Sequence, residues 1–445
     1  MHSTIVRTVN LTRSSQLTAV TLAEYVAYME YRLCEWCNSN GGHTVVEESL
    51  HTGLSLAKND EVAYFAQDNF RSLPRSDQRR WAEVYLRGLL LGRGRKSVRR
   101  IAEEVLELPV SQSLQQFINQ SPWDWRGVRS RIAEKVDEFL SPRAWVIANT
   151  TIPKRGDHSV GVERRFVPEE GRSLNCQVGT GLYLASDVAS IPVNWRIQLT
   201  ERWTNDRRRR DRAYIPPSVR AQAEWQYAAD LVDEVGADWG TTRAPVVGDL
   251  RHMPGADRLM ARLTELGTDF VFEVPPTLPV VPGPHLAAVG TGLGPTRGPN
   301  LVQAKDCLRG ADLTHRQVVT WSPGVNGRPR ATQALSVPVR LPAGSASRGG
   351  GLALQLVGTL PSARHDRPKL WLTNRTDLRA AEVIALGSMV ERTQVDHEDL
   401  RAHYGLLDFE GRSYRGWHHH MTLVSAAFTF AKLTATSSER VRQPS

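Results

Sequence analysis

The sequence predicts an α/β protein with a mixed sheet, interrupted by a β-rich insertion and preceded by an all-helical N-terminal region. Three observations carry the prediction. Between residues 45 and 140, apolar side chains recur at helical spacing. From Ser141 on, short apolar strand patterns alternate with helices bounded by serine, proline and glycine signals. Residues 275–365 open with PPTLPVVPGP and stay rich in proline and glycine around strand-like runs.

The elements follow in order. Residues 1–44 hold one expected helix, from about Leu17 to Asn38, closed by Gly41 and Gly42, and form an appendage. Within 45–140, SDQRRWAEVYLRGLLLG opens at a Ser76 cap and ends near Gly92. SVRRIAEEVLE then places Val98, Ile101, Ala102, Val105 and Leu106 on one face. After an LPV turn, SQSLQQFINQ gives a second helix carrying Leu114, Phe117 and Ile118. Helix, short turn and helix behind the basic lead-in RGRKSVRR is the order of a helix-turn-helix, and equally that of a plain helical hairpin.

The span 141–274 supplies the first part of the core. WVIANT reads as a short buried strand, with QVGTGLYLA and NWRIQL as further strands. A helix is expected from Ser218 through Val235, stopping at Gly236. The strand APVVGD ends at Asp249, a helix runs from about Ala256 to Leu266, and the strand DFVFEV follows. The insertion, 275–365, contains the strands QVVTW and ALSVPVRL. The span 366–445 completes the core with the strand KLWLTN, a helix over Leu378 to His403, and a last helix after RGWHHHMTLVSAAF.

Lysine and arginine outnumber the acids 56 to 47, a net charge of +9, which suits a polyanionic partner. No apolar run approaches the ~18 residues of a membrane helix. The start, MHSTIVRTVNLTRSS, lacks the apolar core of a signal peptide. Four cysteines suggest no disulfide framework. The expectation is a cytoplasmic, nucleoid-associated protein with no membrane partner. CEWC with His43 has the start of a zinc spacing but no fourth ligand. His418, His419 and His420 point around a helix and cannot converge on one ion, so a structural or DNA-facing role is expected. SPWDW and SYRGW read as packing anchors.

The segments RKSVRRIAEEV, LQQFINQSPWDW, PKRGDHSVGVERRF, NCQVG, PVNWRIQL, RQVVTW and DFEGRSYRGWHHHMTLVSAAF together resemble the DDE transposases of bacterial insertion sequences. The resemblance is to the branch whose RNase H-like core is interrupted by a β-rich domain, and it runs from roughly Phe65 to Leu433. It implies phosphoryl transfer on DNA, with divalent ions held by three carboxylates. Aligned on Thr150, the first of these positions falls on Asn149, beside Ala148; the second falls on Asp249. Counting back from GLLDFEGR, the third falls on Gln394, with Gly387, Val390 and Arg401 at the other signature positions. Glu391 and Glu398, on the same helical face, stay open as substitutes for the third carboxylate, and Asp157 lies near the first motif in a loop.

The resemblance thus implies a scaffold with Asp249 retained and two positions degenerate. The expected protein binds double-stranded DNA, with homodimerisation compatible, and holds no cofactor. It serves as a transcriptional regulator or a competitor of transposition. The alternative is an active Mg²⁺-dependent transposase. Expected DNA contacts are Arg93, Arg95, Lys96, Arg99 and Arg100 in the helical region, and Lys154, Arg164, Arg165, Arg412 and Arg415 around the core. Arg207 and Arg208, in the run RRRRDR expected in a loop, complete the set.

Overall fold

Apolar periodicity in the helical region translates into a helical stretch over 60–69 and, after it, the helices α1 (Ser76–Leu91), α2 (Val98–Leu106), α3 (Ser111–Asn119) and α4 (Trp125–Leu140). The computed structural model describes residues 60–91, 94–106, 111–167, 170–283, 301–310, 316–321, 329–342, 352–360 and 368–442. The helix expected over Leu17 to Asn38, CEWC and His43 lie outside them. Ile101 and Ala102 are the buried residues of α2. Helix α2 reaches α1 at Gly88, where a Cβ would stand 2.3 Å from Ile101 Cγ2, so only glycine allows this approach. Helix α3 buries Leu114, Phe117 and Ile118, as its periodicity requires. Helix α4 starts at Asp124, whose side chain accepts from the Arg126 N–H, and stops at Ser141 in the left-handed conformation.

The core strands are β1 (Ala144–Pro153), β2 (Glu163–Val167), β3 (Arg172–Ala185) and β4 (Ser190–Ile197). Helices α5 (Glu201–Thr204), α6 (Arg207–Arg212) and α7 (Glu224–Asp238) follow, then β5 (Val246–Asp249), α8 (Ala256–Glu265) and β6 (Phe270–Glu273). The insertion supplies β7 (Pro279–Pro282), β8 (Val302–Gln303), α9 (Ala304–Gly310), β9 (Gln317–Trp321), β10 (Arg330–Arg340) and β11 (Ala353–Thr359). The chain returns through β12 (Leu370–Thr373), α10 (Ala380–Gly387), α11 (Met389–His403) and α12 (Tyr414–Arg442).

One mixed sheet runs β2-β3-β1-β5-β6-β12-β11-β10-β7-β8, with β4 added to β3 and β9 to β10. The pairs β1/β5 and β5/β6 are parallel, and β1/β3, β6/β12 and β12/β11 antiparallel. This is the expected mixed α/β fold with an RNase H-like core. The insertion strands join that same sheet through β12. Residues Tyr64–Thr436 form one compact unit, centred on α12. Around its start that helix is buried on every side: Trp417, Met421, Val424 and Phe428 are inaccessible, and so are His418, His419, His420, Thr422 and Ser425. Among the described residues no helix is long and apolar enough to cross a membrane.

Four expectations are corrected. The helix expected from Ser218 begins at Glu224 and passes Gly236 to end at Asp238. The stretch before it is gathered by Arg210, which donates to the carbonyls of Thr204, Pro216 and Val219. The RRRRDR run is the six-residue helix α6 capped by Asp206, not a loop. The helix expected over Leu378 to His403 is two helices meeting at Ser388, next to Gly387, which packs closely against the Trp371 indole. The VIANT strand extends to ten residues.

Candidate functional site

Strand β1 lies between β3 and β5, and its register decides which side chains can meet. The parallel pairs are Trp145 with Val246, Val146 with Val247, and Ile147 with Gly248. One step on, Ala148 stands abreast of Asp249. Paired residues share a face of the sheet and neighbours alternate. Asp249 therefore shares its face with Ala148, and Asn149 occupies the other. The contacts agree. The Trp145 ring packs on Gly236 of α7, whereas Thr150 Oγ1 lies 3.4 Å from His397 Nε2 of α11.

On its own face Asn149 is held at both ends. Its Oδ1 accepts from Thr180 Oγ1 at 3.0 Å, and its Nδ2 donates to Glu224 Oε1 at 2.5 Å. Glu224 opens α7. Burial pushes its carboxyl above the ordinary range, only partly offset by the Asn149 bond and by Arg165. Nothing local singles out Glu224: an acid in the first turn of a helix is an ordinary complement to the dipole.

Asp249 ends β5, where Arg251 captures it. The guanidinium donates from Nε at 2.9 and 3.1 Å and from Nη2 at 2.6 Å, and the Arg251 backbone N–H adds a bond of 3.0 Å. Burial alone would raise the Asp249 carboxyl, but these bonds and the nearby charges of Arg251 and His252 hold it below the usual carboxylate range. On the adjacent strand Asp249 pairs with Glu273, which is 8% exposed and sits 3.3 Å from Arg251 Nε. Burial drives Glu273 upward despite Lys369 and Arg251. Lys369 lies 3.8 Å from Glu273 and 2.6 Å from Glu391, and Arg330 lies 3.6 Å from Glu391. The result is an alternating row: Asp249, Arg251, Glu273, Lys369, Glu391, Arg330.

Helix α11 covers the Thr150 side of β1. His397 Nδ1 lies 2.7 Å from Tyr183 Oη, and burial lowers this imidazole to about 4. Thr393 reaches Ser190, and Asp396 accepts from the Ser190 N–H. Gln394 is exposed, one turn from both Glu391 and His397. Glu398 pairs with Arg401 at 3.0 Å. Asp157 faces Arg202 and Arg209.

The three positions expected from the resemblance are thus an amide engaged with Thr180 and Glu224, a carboxylate gripped by a guanidinium, and an exposed amide on α11. Divalent magnesium wants several anionic oxygens converging on one point. Among the described residues no group of three or more His, Cys, Asp or Glu side chains is placed to hold a metal ion. These residues do not fit the metal pair that the resemblance implies.

The expected basic contacts divide by burial. Lys96 is 4% exposed and packs beside Gly405, so it is not presented to a surface. Lys154 donates to the Phe409 carbonyl above that ring, and burial lowers its ammonium to about 8. Lys96 is thus buried where a surface contact was expected, and Lys154 is half-buried with its ammonium engaged by the protein itself. Arg165 donates to Gln198 and Arg415 to the Gln120 carbonyl. Arg95 pairs with Asp408 and Glu410. Arg99, Arg100, Arg164, Arg207, Arg208 and Arg412 are exposed. Arg93 lies outside the described residues. The three histidines take the structural alternative. His418 stacks on Trp125 at 4.4 Å, His419 on Trp123 at 3.7 Å, and His420 Nδ1 meets Tyr85 Oη at 2.9 Å. These stacks also bear out the tryptophans as packing anchors.

Residues 69–328 match the family model of the DDE superfamily endonucleases. No curated protein matches the chain.

Proposed function

Because the chain belongs to the DDE superfamily of endonucleases, we propose that it is a double-stranded DNA-binding protein that keeps the family scaffold without metal-dependent cleavage. One observation carries this reading. Asp249 is neutralised by Arg251, the β1 residue abreast of it on the same face is the uncharged Ala148, and Asn149, on the other face, is an amide. Phosphoryl transfer of this class depends on divalent ions that stabilise the attacking and leaving oxygens. With anionic ligands missing, both metal affinity and rate fall, each tenfold in rate costing ~1.4 kcal/mol of barrier. The use that remains is occupancy of DNA: regulation of transcription, or competition with an active relative for element ends.

The deciding experiment is strand cleavage and transfer on duplexes carrying candidate inverted-repeat ends, with Mg²⁺ or Mn²⁺. No product is expected. Metal-dependent nicking that disappears in Asp249→Ala overturns the reading. A second reading, an active endonuclease, draws on Glu224 beside Asn149 and on Glu273 beside Asp249, carboxylates one neighbour away from the expected positions. Nicking abolished by Glu224→Gln would select it. In the native host, chromatin immunoprecipitation separates the two uses: promoter peaks indicate a regulator, and peaks confined to element ends indicate interference with transposition.

A further inference from the structure

Helix α3 is unlike the other surface helices among the described residues. From Ser111 to Gln120 it carries no charged residue. Its apolar side, Leu114, Phe117 and Ile118, is buried, and Gln112, Ser113, Gln115 and Gln116 are exposed. At 100° per residue, Gln112 and Gln116 lie at the middle of the outward face, opposite the three buried side chains. Protein surfaces are ordinarily dense in charge, and α2 next to it exposes Arg99, Arg100, Glu103 and Glu104.

The charge is placed at the edges instead. On α2, which precedes α3, Arg100 is exposed, and Arg99 is exposed in an ion pair with Glu103 at 2.7 Å. At the other end, the segment of Arg412 and Arg415 abuts the C-terminus of α3. Arg415 donates to the Gln120 carbonyl, and Gly411 and Gly416 come close to Asn119. A neutral hydrogen-bonding strip flanked by guanidinium groups complements a duplex groove, where bases lie between two lines of phosphates.

We propose that α3 enters the major groove and that Gln112 and Gln116 read adenines there. A glutamine amide donates and accepts at once, the pattern that matches adenine N7 and N6. The two side chains are separated by about 6 Å along the helix axis, which spans about two base-pair steps. The expected preference is for A·T pairs two steps apart. This inference rests on the DNA-binding reading above and adds its sequence specificity.

The test is selection by the full chain from duplexes with a randomised centre, followed by sequencing and by titration of selected and scrambled duplexes. The wild type should enrich paired A·T positions. Gln112→Ala and Gln116→Ala should each cut the preference by roughly 5- to 150-fold, equivalent to about 1–3 kcal/mol. Affinity for scrambled duplex should not change. Gln116→Arg should move the preference at one position toward guanine. Arg100→Ala and Arg412→Ala should weaken all duplexes alike and reduce the salt slope by about one each. If the glutamine variants bind and select as the wild type does, the inference fails and DNA binding stands. If the wild type binds no duplex at 50 mM salt, both fail.

Discussion

Two polar clusters of this molecule, both rich in ionisable side chains, are opposite in physics. At the start of α12, His418, His419, His420 and Arg129 are fully buried. Their partners are mostly neutral: Arg129 donates to Thr422, Asn194, the Trp195 carbonyl and both Nδ1 and O of His418. Burial lowers Arg129 to about 9, still charged at neutral pH, and lowers His419 and His420 to about 3. At the ends of β5 and β6, charge faces charge along the Asp249–Arg251–Glu273 row, with Arg251 45% exposed. A buried cation must be surrounded by acceptors that form part of the core. A half-exposed row can be rearranged cheaply, because water replaces what a substitution removes. The first cluster is framework, and the second is a half-exposed charge row at the strand ends.

That contrast is most directly broken by Arg129→Met. Removing every donor from buried acceptors is expected to cost ~3–5 kcal/mol, seen as a lower urea midpoint or loss of soluble protein. An unchanged midpoint would remove the distinction between the clusters.

Acid comes next. His397, His419 and His420 have folded-state pKa values depressed to about 4, 3 and 3, and His418 is depressed as well. The sign follows from protons bound: the unfolded chain takes up protons near pH 6.5 while the folded chain stays neutral. Their stabilising contribution is thus full above about pH 6.5 and is lost as pH falls toward 4, by up to ~1.4 kcal/mol per pH unit for each ring. Chemical denaturation at pH 7, 6 and 5 reads this slope. A flat profile would mean that the rings protonate in place.

Arg251→Ala should be milder, about 1–2 kcal/mol, because the pair is partly exposed. It leaves Asp249 and Glu273 adjacent without their shared cation. Asp249 is depressed in the folded state, so its contribution exists above about pH 4 and vanishes as pH falls through the folded value. The difference between variant and wild type should shrink below pH 4. A constant difference would point to packing instead of charge.

The smallest effect sharpens the same contrast among the basic residues. Arg164→Ala should leave stability unchanged and lower the slope of log affinity against log salt by about one. Lys154→Ala should do the reverse, since its ammonium is spent on the Phe409 carbonyl. Denaturation and duplex titration across 50–200 mM salt measure the two.

Much of the architecture was legible because its signals are local. The α2 and α3 periodicities, the APVVGD strand ending at Asp249 and the Gly267 stop after α8 all appear where the residues place them. The errors fall where a distant partner decides. The helix after Pro217 starts late, beyond a turn that Arg210 ties to α5, and the Leu378–His403 helix breaks at Ser388, beside the Gly387–Trp371 contact.

By itself the sequence determined the family scaffold, the strand that ends at Asp249, and the absence of a carboxylate at Ala148 and Asn149. These depend on residue identity and short-range pattern alone. Only the tertiary structure decided that Asn149 turns away from Asp249 toward Glu224, that Arg251 already occupies Asp249, that Lys96 is buried, and that the half-buried Lys154 is tied to the Phe409 carbonyl. The reason is geometric. A strand's faces are assigned by its register with neighbours, and burial by segments far away in the chain, as with Lys154 and Phe409, 255 residues apart. A single residue of register reverses every side chain on the strand, and nothing in the local sequence around VIANT encodes which face Asn149 will take.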